Sequence, residues 1–114
     1  MASNGHQAPL SAAGRRRKGV KGEREVRNIL EEHGFDVRGL EGEGDHIATK
    51  GRPGNLLALH VESKRQERLR IPEWLKQCIE ETPDGMVPLV TFRRSGEEWN
   101  AVLPLHVLLE LIDR

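Results

Sequence analysis

Leu56-Leu57-Ala58-Leu59-His60-Val61 is an apolar run that turns abruptly ionic at Glu62 and Lys64 and continues into Arg65, Arg68 and Arg70. It is entered from a turn-forming stretch, KGRPGN (50–55), so Leu56 to Lys64 reads as the central strand of a sheet. Alternate residues of a strand share a face. Leu57, Leu59 and Val61 therefore point one way, where they can pack against a helix, and His60, Glu62 and Lys64 point the other. A carboxylate and an ammonium at the edge of a core are costly unless paired or bound to a metal. An isolated E-x-K is most often a half-exposed ion pair, so the strand constrains the fold before it says anything about chemistry.

Helical periodicity runs from about Gly19 to His33 through Val26, Ile29 and Leu30, with Gly34 as the stop. Phe35-Asp36-Val37 begins an extended segment, GLEGEGD (39–45) is a turn, and a short strand follows around His46 to Thr49. Pro72 suits a helix's first turn, with Trp74, Leu75, Cys78 and Ile79 on one face. Met86 to Phe92 and Trp99 to Leu103 read as strands joined by RRSGEE. Pro104 opens a last helix carrying Leu105, Leu108, Leu109 and Ile112 on one side, which is core or a dimerisation face. Helix, strands, helix, strands, helix predicts an α/β fold with a mixed sheet. With 114 residues the chain is expected to be one domain over 15–114, preceded by a flexible tail at 1–14.

Net charge is zero, so nothing global announces a nucleic-acid binder; the distribution does. Between Arg15 and Arg27 seven basic residues face only Glu23 and Glu25. Cys78 is the sole cysteine, which excludes a disulfide framework and a cysteine-based zinc site. No apolar run is long enough for a membrane span, and a cytoplasmic location is expected, the host cytoplasm for a viral protein.

Asp45 lies 17 residues before Glu62, across the turn KGRPGN. A hairpin there brings the two carboxylates within reach of one hard cation of the Mg²⁺ type. Lys64 is placed to assist a hydrolytic water or to offset phosphate charge. The first helix offers two further acids, Glu23 and Glu25, which flank its apolar arc on opposite sides; helical geometry does not choose between them.

KGVKGEREVRNILEEHGF (18–35), GD (44–45) and HVESK (60–64) together resemble the archaeal-type Holliday junction resolvases of the PD-(D/E)xK nuclease superfamily, whose opening helix carries K-G-x-x-x-E-R-E and ends in H-G-F. The resemblance covers most of the chain from Lys18 and implies a restriction-endonuclease-like mixed central sheet flanked by helices, with 15–114 as a single nuclease domain. It implies Glu23, Asp45, Glu62 and Lys64 as catalytic residues, with Glu23, Asp45, Glu62 and the Ser63 backbone carbonyl on the metal. The implied cofactor is Mg²⁺, with Mn²⁺ able to substitute; the implied substrate is branched or duplex DNA, cut by metal-activated water; the implied assembly is a homodimer. The superfamily's proline is Gly44 here, and the serine that archaeal enzymes carry in the loop before the aspartate has no counterpart in GLEGEG. The second departure bears on junction selectivity, leaving a nicking, flap or repair nuclease, or a non-catalytic binding module, as rivals.

For DNA binding the candidates are Arg15, Arg16, Arg17, Lys18 and Lys21 as a mobile arm, Arg24 beside the helix glutamate, and Arg65, Gln66, Arg68 and Arg70 after the strand. Such contacts give affinity and salt dependence without reading sequence. Gln77 reads as a surface residue, His60 as lining the site, and Trp74 and Trp99 as core or interface anchors.

Overall fold

The computed structural model describes residues 12–39 and 45–114, with side chains from Gly22 onward. The elements run α1 (Ala12–Glu32), β1 (Asp36–Gly39), β2 (Asp45–Arg52), β3 (Asn55–Arg65), α2 (Ile71–Glu81), β4 (Val87–Arg93), β5 (Asn100–Val102) and α3 (Leu105–Ile112). One five-stranded sheet carries them in the order β1-β2-β3-β4-β5. All neighbours are antiparallel except β3 and β4, which run parallel and are joined across the sheet by α2. This is the mixed α/β sheet the element order predicts, and β3 is its central strand.

The two faces of β3 divide the core. Val26 of α1 packs with Val37, Ala48, Leu59 and Val61 on one side. Trp74 and Cys78 of α2 pack with Val90 on the other. His60 and Glu62 face α2 and are buried at 2% and 4% exposure, so the polar face of β3 is as enclosed as the apolar one.

Several boundaries differ from the sequence reading. α1 starts at Ala12, ahead of the expected tail boundary and of the periodicity near Gly19. Alanine, arginine and lysine sustain a helix without an apolar stripe, so periodicity marks only the packed part. The remainder of the expected tail (1–11), the side chains of Arg15 to Lys21 and the loop 40–44 with Gly44 lie outside the described residues. The turn KGRPGN shrinks to Pro53-Gly54, because Lys50 to Arg52 extend β2. Gly51 makes that extension possible: its φ is +125°, and a Cβ there would lie 2.6 Å from the Asn55 carbonyl oxygen. Ile29 and Ile79 are exposed rather than on packed faces, and α3 buries none of its residues.

Glu25 ties α1 to the far strands. Its Oε1 accepts from Arg93 Nε at 3.0 Å and from Trp99 Nε1 at 3.0 Å, while Oε2 lies 3.8 Å from Arg65 Nη1. Close approach is allowed by Gly22, where an added Cβ would sit 3.1 Å from Arg65 Cβ and 3.3 Å from the Trp99 ring. Trp99 is thus a core anchor, as expected.

Candidate metal centre

The antiparallel register of β2 and β3 sets Asp45 directly opposite Glu62, and directly opposed residues share a face. α2, crossing on that face, ends at Glu81. Carboxylate oxygens of Asp45, Glu62 and Glu81 all lie within 4.8 Å of one another. As a carboxylate oxygen, Glu62 Oε2 is buried with no donor. Burial, the neighbouring Glu81 and the charge of Asp45 push the Glu62 carboxyl up to about 8. The neutral carboxyl can then donate to Glu81, and that bond holds Glu81 below its ordinary range. Asp45 is also pushed up, chiefly by burial, against the opposing pull of His60. Lys64, half-buried, attracts all three acids. Glu62 is buried, Asp45 half-buried and Glu81 exposed; once Glu62 is ionised, its enclosed oxygen without a donor, beside two further carboxylates, is a place that suits a hard divalent cation.

A polar chain fixes the Asp45 side chain. Thr82, the C-cap of α2, donates from Oγ1 to the Cys78 carbonyl, which leaves it an acceptor for His60 Nδ1–H at 2.9 Å. His60 Nε2 lies 3.3 Å from Asp45 Oδ2. His60 was expected to line the site; it does so as a strut between α2 and Asp45. His46 adjoins Asp45 in sequence but points to the α1 face, where burial and then Arg27 push its ring below the usual range.

No family model matches the chain, and no curated protein matches it. Among solved structures it is similar to Hjc, a Holliday junction resolvase from the archaeal hyperthermophile Archaeoglobus fulgidus: 22% identity over 75% of this chain and 72% of that one, with a TM-score of 0.59. The chain has the Hjc fold.

On the Hjc fold the expected residues fall into groups. Asp45 and Glu62 meet; Lys64 is beside them. Glu23 is not among the three converging acids, yet it feels Asp45: burial first, then that charge, push its carboxyl up. Glu25, its sequence rival, is committed to Arg93 and Trp99. Ser63 is buried, its Oγ 3.0 Å from Thr91 Oγ1, and among the described residues β2 pairs with β3 only as far as Glu62. Gln66, Arg68, Arg70 and Arg24 are exposed. The alternation that groups Glu62 with Lys64 turns Arg65 to the α1 face, where it meets Glu25.

Glu81 was missed by the sequence reading. A signal existed: Glu80 and Glu81 close a helix with no basic residue in its last turn. Helix dipoles disfavour negative charge there, so the pair carries a small local cost.

Proposed function

We propose that this protein is a metal-dependent DNA endonuclease that resolves four-way junctions. The observation that carries the reading is the pair Asp45 and Glu62, set side by side on a resolvase-like sheet with a buried carboxylate oxygen that has no donor. Asp45, Glu62 and the Ser63 carbonyl would hold Mg²⁺, or Mn²⁺ in its place, with Glu23 completing the set from α1. When bound, the cation supplies Lewis-acid stabilisation of phosphate charge and acidifies water. Lys64 neutralises negative charge developing at the phosphate and orients the attacking water. His60 keeps Asp45 from rotating, and Arg24 meets a phosphate next to Glu23.

Exposed Gln66, Arg68 and Arg70, with Arg15, Arg16, Arg17, Lys18 and Lys21 ahead of them in sequence, supply the contacts that grip duplex arms. Arg65, held by Glu25, contributes by fixing the end of β3. Two copies joined through the apolar side of α3 would present two sites related by a two-fold axis, which suits paired cuts across a junction. GLEGEG, which lacks a serine or threonine, favours a second reading in which the same site cuts flaps or other branched DNA.

The test is cleavage of a labelled immobile four-way junction with Mg²⁺, beside flap and linear duplex, using wild type and Asp45→Asn. Paired symmetric nicks in the junction alone, lost in the variant, are the expected result. Cutting of every substrate would leave a nuclease without junction selectivity. Binding without cleavage under any divalent metal would reduce the protein to a DNA-binding module.

A further inference from the structure

Glu81 stands outside every motif that points to the nuclease site, yet α2 brings it to the same point. We infer that Glu81 is a working ligand of the cation site, a third carboxylate delivered by α2 rather than by the strands that carry Asp45 and Glu62. This rests on the metal-site reading above. Three features carry it. An oxygen of Glu81 lies within 4.8 Å of ligand oxygens of both Asp45 and Glu62. One of those partners, Glu62, is 96% enclosed and offers a carboxylate oxygen that no donor reaches, so the point between the acids is a place for a cation. And the backbone that carries Glu81 is held beside the site, because the next residue, Thr82, is bonded to His60, which in turn contacts Asp45.

The expected consequence is that α2 sets the affinity for the divalent ion through the charge and number of oxygens around it. Since α2 also carries Trp74 and Cys78 into the core, its packing and the loading of the site are linked.

Mn²⁺ binding by the intact protein, measured calorimetrically and by the EPR signal of the free ion at low and high NaCl, tests the assignment without any activity readout. Glu81→Gln is expected to weaken binding about tenfold at both salt concentrations, with Asp45→Asn losing it and Glu80→Gln, on the neighbouring exposed residue, unchanged. If wild type binds and Asp45→Asn does not, but Glu81→Gln binds like wild type, the role of Glu81 is overturned while the metal site stands. A Glu81→Gln effect that disappears at high salt would also overturn it, leaving Glu81 as a distant screened charge. Wild type that binds no Mn²⁺ removes both this assignment and the reading it rests on.

Discussion

Glu62 is ionisable, enclosed and without a donor for one oxygen, and the fold keeps it at a cost that can be measured. Burial, Glu81 and Asp45 push its carboxyl up to about 8 in the fold against 4.5 ordinarily. Below pH 4.5 both folded and unfolded chains hold the proton and there is no penalty. Between 4.5 and 8 the unfolded chain releases it first, so stability falls as pH rises, by at most about 1.4 kcal/mol per pH unit. Glu62→Gln keeps the shape and removes the titration. In EDTA its unfolding free energy should be close to wild type near pH 5 and exceed it increasingly towards pH 8, by up to about 4 kcal/mol. A constant difference across that range would contradict the burial argument. Excess Mg²⁺ should close the gap by stabilising wild type alone. At this scale the sequence was informative where chemistry is local: E-x-K spacing and the upstream Asp45 placed two carboxylates together. Glu81 was barely legible: two acids at a helix end hint at it, but its neighbourhood depends on how α2 crosses the sheet, which no spacing encodes.

At the scale of elements, the hairpin of β2 and β3 is the part on which the site depends, since its register alone sets Asp45 against Glu62. Gly51 is the residue most sensitive to change there, held at φ +125° with the Asn55 carbonyl against the space a side chain would need. Gly51→Ala should destabilise the protein by about 2 kcal/mol in chemical denaturation and, if folded, lower divalent affinity by loosening the register. Gly54, at φ +89° with open space around it, should tolerate alanine with a smaller loss. Element types and order were readable because apolar periodicity and turn residues agree along most of the chain. The ends were less readable: glycine can stand inside a strand as well as in a turn, and a basic helix extends where nothing packs against it. Helical geometry left Glu23 and Glu25 open and the resemblance implied Glu23; the tertiary structure adds that Glu25 is engaged by Arg93 and Trp99, far along the chain.

For the whole molecule, α3 carries most of the exposed large apolar side chains among the described residues. Leu105, Leu108, Leu109 and Ile112 are 69%, 40%, 51% and 68% exposed, more than a last core helix would show. On the proposed reading a second copy covers them. Leu105→Lys with Leu109→Lys should then give a monomer in sedimentation equilibrium with little change in thermal midpoint, because α3 buries none of its residues, and should turn paired nicks into single ones. A wild-type monomer under the same conditions would end the dimer proposal. The lengths of the strands bear on the same question from another direction. Among the described residues the longest, β3 and β2, are interior, whereas the borders of the sheet are β1, of 4 residues, and β5, of 3. Short borders give an incoming chain few backbone groups to pair with, so they template fibrils and strand exchange poorly. Crowding this protein should therefore drive it towards closed pairs through a helix, which stop growing at two, and away from open-ended cross-β assembly.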